Sequence, residues 1–335
     1  MRIPAVLVTG ASGEIGHGLI EQFATADRRA IVTVDLNPLD ARLSGVVARE
    51  VTGSILDHTV LERLLAEFDI DLVVHLAALL STRSEFSPLA AHHVNVGGTL
   101  ALLEFAHQEA ASHGRPVVFL YPSSIAAYGL PSLEAKRAAG RVSEDEYAWP
   151  STMYGCNKLY CEHLGRYYTH HYKQLSAESV AGKVDFRALR FPGLISADTV
   201  PSGGTSDYAA EMVHAAARGR AYECFVRPDT KIPFMAMPDA IQALVRLAKA
   251  SRDRLTRTSY NVRAFSVTAD EVRAEVLRAC PGAAITFRPD DKRQRIVDTW
   301  PEDVDDSAAR RDWSFDPTLD FEDTFRKYLN KVLRR

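Results

Sequence analysis

Tyr154-Gly155-Cys156-Asn157-Lys158 sets a phenol and an ammonium four residues apart, a spacing that puts both on one face of a helix. A free tyrosine titrates near 10, and a neighbouring positive charge favours its phenolate. Such a phenol can take a proton from an alcohol or return it to a carbonyl, a contribution of about 10²–10⁴ in rate. Exposed helix pairs of this kind also arise by chance. Upstream, Ser124 closes the segment Tyr121-Pro122-Ser123-Ser124. It could orient a reacting oxygen, or it could cap a turn. Asn95 could position a water or a backbone group for proton relay.

Proton transfer at an alcohol needs a hydride acceptor, and a second cluster is suited to hold one. Thr9-Gly10-Ala11-Ser12-Gly13-Glu14-Ile15-Gly16 follows an apolar run with G-x-x-G-x-x-G spacing. Gly10 allows a tight turn, Gly13 a close backbone approach to a pyrophosphate, and Gly16 close helix–strand packing. The following helix start offers N–H groups and a positive dipole end. A simple strand–helix turn would also use such glycines. Asp35 ends the second apolar run nineteen residues after Gly16, where an acidic group accepts hydrogen bonds from a ribose and repels a 2′-phosphate. This favours NAD over NADP. Asp57 could reach the adenine edge, or it could cap the helix after it.

The elements that must carry these residues alternate between two periods. Strands are expected at 5–9, 30–35, 46–51, 72–76, 116–121 and 184–190, and helices at 13–26, 58–68, 88–111 and 152–172. Several strands are apolar at consecutive positions, as when helices cover both sheet faces. The expectation is an α/β fold, a Rossmann-type doubly wound parallel sheet with a smaller C-terminal α/β substrate lobe. Residues 1–190 form the expected cofactor domain, with returning segments near 231–263, and 191–335 the lobe. The lobe should hold helices at 207–218, 238–249, 269–279 and 319–333 and strands at 221–225, 259–263 and 284–288. A surface loop is expected at 174–183.

At 335 residues, one enlarged domain or two ordinary ones are both open. The 46% hydrophobic and 25% charged content excludes disordered, collagen-like and rod-like chains. Forty basic against 43 acidic residues leave a net charge of −3, against a dedicated nucleic-acid binder. The apolar run at 72–80 contains His75 and is too short for a membrane span. The run at 5–9 is broken too early by Gly10 for a signal peptide. Cys156, Cys161, Cys224 and Cys280 form no C-x-x-C pair and no zinc-spaced cluster. No metal is expected, and the cytoplasm is the expected compartment.

At these residues the chain resembles the extended short-chain dehydrogenase/reductases, over nearly its whole length. The resemblance implies that Tyr154 is the general base or acid, that Lys158 lowers its pKa and binds the nicotinamide ribose, and that Ser124 positions the substrate oxygen. It also implies cofactor contacts from Ser12, Glu14, Ile15, Ile55, Leu76, Ala77 and Ala78.

Most such enzymes hold nucleotide sugars through basic residues of the second lobe. Here 191–217 has no lysine or arginine, so a diphosphate would have to find Arg220, Arg227, Arg263 or Arg288. Longer stretches, including Leu79-Leu80-Ser81, Gly203-Gly204-Thr205-Ser206-Asp207-Tyr208-Ala209 and Thr299-Trp300-Pro301, look like the short-chain L-threonine 3-dehydrogenases. This implies amino-acid contacts from Ser81, Gly204, Thr205, Ser206 and Trp300, L-threonine as substrate, and a homodimer built on the helices at 88–111 and 152–172. Ser206 and Ser202 depart from the threonine and glycine usual there. Residues 204–206 could instead form a plain capping loop, and Trp300 an anchor for the last helices. The alternatives are a nucleotide-sugar epimerase or dehydratase, a small hydroxy-acid dehydrogenase, and a non-catalytic NAD sensor.

Overall fold

Seven strands build the central sheet of the computed structural model, which describes residues 2–176, 183–200 and 203–333. They are β1 (Ile3–Thr9), β2 (Ala30–Asp35), β3 (Arg49–Thr52), β4 (Phe68–His75), β5 (Val117–Ser124), β6 (Val184–Phe191) and β7 (Ser259–Asn261). Their order is β7-β6-β5-β4-β1-β2-β3, and every neighbouring pair is parallel. The order reverses between β1 and β4, so the crevice at their carboxyl ends is where a ligand binds in such a sheet.

Both sheet faces are covered, which explains the unbroken apolar strands. In β1, Ala5, Val6, Leu7 and Val8 are all fully buried. Val6 and Val8 pack with Leu19, Ile20, Ile241 and Leu244 of helices Glu14–Ala26 and Met237–Lys249. Ala5 and Leu7 face Leu61, Leu102, Phe105 and Tyr168 of helices His58–Glu67, Gly98–His113 and Met153–His170. A third cluster holds the lobe together, with Tyr208, Met212, Phe234, Phe265, Val272 and Trp300 packed against Tyr128, Leu130 and Val142.

Several elements differ from the expectation. β5 runs on to Ser124, carrying Pro122, Ser123 and Ser124 to the sheet edge. The third strand is shorter and later than 46–51. The helix expected at 88–111 is divided by a π-turn at His93–Gly97, which includes Asn95. The helix expected at 319–333 is two short α-helical pieces, Phe321–Asp323 and Asn330–Leu333, around a π-turn at Thr324–Tyr328. Of the segments near 231–263, β7 joins the main sheet, but Lys231–Ala236 pairs with Gly193–Ile195 and Phe265–Thr268 in a separate small sheet. In the expected loop at 174–183, residues 177–182 lie outside the described residues. Among the described residues, no helix is long and apolar enough to cross a membrane.

Candidate active site

The glycine turn begins the site. Gly10 has φ +68°, and a Cβ there would lie 2.7 Å from the Ala77 Cα. A Cβ on Gly16 would lie 2.7 Å from the Ala11 carbonyl carbon. Neither gap real Cβ atoms tolerate, so both positions need glycine. Gly13 is the N-cap of helix Glu14–Ala26 and gives it no side-chain cap, which leaves first-turn N–H groups for an anion. At the end of β2, Asp35 accepts from Ser12 N–H at 3.0 Å and from Asn37 N–H at 2.9 Å.

A cavity of about 560 Å³ runs from this turn across the strand ends. It is lined by Gly10, Ser12, Gly13, Glu14, Ile15, Gly16, Asp35, Ile55, Leu76, Ala77 and Ala78, and on the far side by Ser81, Ser124, Tyr154, Lys158, Gly204, Thr205, Ser206 and Trp300. Two candidates from the sequence do not line it. Asp57 accepts from Thr59 N–H at 2.9 Å and caps helix His58–Glu67, the bland alternative of the two. Asn95 clamps the backbone of Leu79, accepting from its N–H at 2.7 Å and donating to its C=O at 3.1 Å. Sequence reasoning did not single out Arg83, Ser196, Thr199 or Asp207, which also line the cavity. Ser202 lies outside the described residues.

Tyr154 and Lys158 sit in the first two turns of helix Met153–His170, where Thr152 caps Gly155 N–H at 3.1 Å. A Cβ on Gly155 would lie 2.8 Å from the Pro150 Cβ and 2.9 Å from the Ala126 carbonyl carbon. Glycine thus lets the helix start press against the turn Ile125–Ala127 that Ser124 caps, setting Tyr154 beside the end of β5. Lys158 is buried; its Nζ donates to Pro122 O at 2.6 Å and lies 5.4 Å from the Tyr154 ring centre. Burial lowers the Lys158 ammonium to about 8. Burial, then the Asp207 carboxylate, push the Tyr154 phenol well above its ordinary value.

A buried polar chain fixes the floor of the site. Thr99 donates to Asn95 O at 2.6 Å, so its oxygen must accept from His75 Nε2 at 3.0 Å. His75 Nδ1 then accepts from Thr9 Oγ1 at 2.8 Å. Burial, with Lys158 nearby, lowers His75 to about 3, so it is neutral. The chain ties the ends of β1 and β4 to Asn95 and hence to Leu79. Ser81, two residues on, accepts from Thr205 N–H and Oγ1–H, each at 3.2 Å. This joins the sheet edge to the lobe loop, and Gly203 N–H and Gly204 N–H in turn donate to Asp207.

Residues 6–262 match the model of the NAD dependent epimerase/dehydratase family. The chain belongs to this family. Over 328 residues it is 33% identical to the mitochondrial L-threonine 3-dehydrogenase of Bos taurus, a match covering 97% of this chain and 82% of the relative. The crystal structure of L-threonine dehydrogenase from Phytophthora infestans superposes with a TM-score of 0.83 and 33% identity, covering 99% of each chain. A monomeric L-threonine 3-dehydrogenase from a metagenome superposes at 0.84 with 32% identity, covering 98% of this chain and 99% of that one.

The residues present fit the NAD of the family name. The two forced glycines bring backbone to the cavity wall, the uncapped helix start faces it, and Asp35 stands ready to accept at the end of β2. Glu14 is the exception. Its half-buried carboxyl is in the first turn of helix Glu14–Ala26, and burial, opposed by a Ser196 hydrogen bond, raises it from 4.5 to about 7, with Asp207 and Asp198 adding repulsion. The folded state therefore binds the extra proton between those values, and stability attributable to Glu14 falls as pH rises through that window. Glu14→Gln is expected to raise the melting temperature at about pH 8 and to leave it unchanged at about pH 4. Equal shifts at both pH values would contradict this origin.

Proposed function

We propose that the chain oxidises L-threonine at C3 to 2-amino-3-oxobutanoate with NAD as hydride acceptor. When bound, NAD supplies the two-electron sink at its nicotinamide ring. Tyr154 accepts the hydroxyl proton, Lys158 supplies a positive charge that favours the phenolate, and Ser124 orients the reacting oxygen. Ser81, Gly204, Thr205, Ser206 and Trp300 hold the amino acid, with hydroxyl and N–H donors suited to a carboxylate. L-threonine loses a hydride and a proton, and NADH and a proton appear, so atoms and charge balance.

The observation that carries the reading is the makeup of the cavity wall opposite Tyr154. It offers the small polar residues Ser81, Gly204, Thr205 and Ser206 beside Trp300, and Arg83 and Lys158 are the basic side chains that line the cavity among the described residues. Three of the four arginines named for a diphosphate sugar, Arg227, Arg263 and Arg288, are engaged elsewhere. Arg227 holds Asp298 at 3.0 and 2.9 Å, Arg263 lies 3.1 Å from Asp303, and Arg288 lies 3.3 Å from Glu223. L-threonine deuterated at C3 is expected to transfer its deuterium to NAD, whereas deuterium at C2 should not appear in the NADH formed. Transfer from C2 would sink the proposed regiochemistry.

The same reading includes a homodimer in the cytoplasm. Helices Pro88–His92, Gly98–His113 and Met153–His170 expose Leu89, Leu100, Tyr160 and Tyr167, an apolar surface that a second copy would cover. A monomeric mass at micromolar concentration would contradict it.

A further inference from the structure

Lys136 is 3% exposed, in helix Leu133–Ala138, outside the cavity described above. Burying an ammonium is costly unless a paired charge offsets it, yet among the described residues no ion pair includes Lys136. Its hydrogen bond goes to a backbone carbonyl, Val297 O, at 3.0 Å. The same oxygen accepts from Trp300 N–H at 3.1 Å, so Lys136 holds the carbonyl that closes the turn carrying Trp300 into the cavity. The surrounding charges do not replace that bond. Asp298, Glu302 and Asp229 attract the ammonium and Arg227 repels it, but Asp298 is taken by Arg227 and by Gln294 at 2.7 Å. Burial, the largest influence, lowers Lys136 to about 8.

Other contacts from the same stretch of chain brace this turn. Leu130 N–H donates to Thr299 O at 2.8 Å. Thr299 Oγ1 donates to Ile296 O at 2.7 Å and so accepts from Ser151 Oγ at 3.1 Å. Arg141–Val142 pairs in parallel with Asp303–Val304. Contacts from residues 130–151 thus brace Thr299-Trp300-Pro301, and Lys136 shares the Val297 carbonyl with Trp300 N–H.

We infer that Lys136 is a positioning residue for substrate, acting through the Val297 carbonyl to fix the Trp300 ring against the amino acid. This rests on the proposed role of Trp300 in the L-threonine site. A residue that acts there changes the affinity for L-threonine and not for NAD, whose proposed phosphate and adenosine contacts, Gly10 to Gly16 and Asp35, lie away from Trp300.

The test is a double-mutant cycle of Lys136→Met and Trp300→Phe, with KM for each substrate, kcat and melting temperature measured. Lys136→Met is expected to raise KM for L-threonine about tenfold, far more than it alters kcat, with KM for NAD within about twofold. The double variant is expected to be no worse than Trp300→Phe alone, because both changes remove one effect. Penalties that multiply, or a loss that appears in KM for NAD and melting temperature but not in KM for L-threonine, would overturn the inference. If Lys136→Met does not fold, Lys136→Leu removes the donor as well and is read in the same way. An unchanged KM for L-threonine in Trp300→Phe would overturn the substrate role of Trp300 and the inference with it. An effect of Trp300→Phe without one of Lys136→Met would overturn the inference alone.

Discussion

Tyr154→Phe is expected to lower kcat for L-threonine oxidation by about 10²–10⁴ while NAD affinity stays within about threefold. The ring remains to fill its place on the cavity wall, so the change removes one proton acceptor and little packing. In the structure the phenol is pushed up by burial and by Asp207, so it is protonated at neutral pH until further positive charge reaches it. A base in that state gains most from its charged neighbours, and the loss should appear in kcat more than in KM. Full activity in the variant would remove Tyr154 from the mechanism. Tritium or fluorescence measurements of NAD binding would show whether the site itself survives.

Lys158→Met follows from the same geometry and should cost about 10² in kcat. A unit charge near the 5.4 Å that separates Nζ from the Tyr154 ring centre favours the phenolate by about 3 kcal/mol at an effective dielectric near 20, or about two pKa units. The stability effect runs with opposite pH dependence to that of Glu14. Burial lowers Lys158 from 10.5 to about 8, so the folded state binds fewer protons between those values. The burial penalty is full below about 8 and is relieved as pH rises toward 10.5. Wild-type protein should therefore gain stability relative to Lys158→Met between about pH 8 and pH 10. A constant difference across that range, or retained kcat, would contradict the assignment.

Local chemistry made much of the site legible in the sequence. The glycine turn, Asp35 and the Tyr154–Lys158 spacing each depend on neighbours a few residues away, and the parallel sheet carries them to one crevice. Residues whose placement depends on distant chain were harder to read. Asp57 is ambiguous in sequence because a carboxylate before a helix suits either a cap or an adenine edge, and in the structure it accepts from Thr59 N–H. Asn95 gave no sign that it would hold Leu79, since that contact needs the π-turn and the segment after β4 to meet. Asp207 and Ser196 lie in the lysine- and arginine-free stretch 191–217, but their approach to Glu14 requires the lobe to fold back over the first helix. Pro122 hid the end of β5, because a residue without an N–H ordinarily marks the end of a strand. The fold tolerates it there and uses its carbonyl as the acceptor for Lys158.

The most direct test mixes the purified protein with NAD and L-threonine and follows NADH, with a UDP-sugar in a parallel sample. NADH formation that saturates with L-threonine, depends on Tyr154 and is absent with the nucleotide sugar is the expected result. No NADH from L-threonine, together with turnover of the nucleotide sugar, would contradict the account.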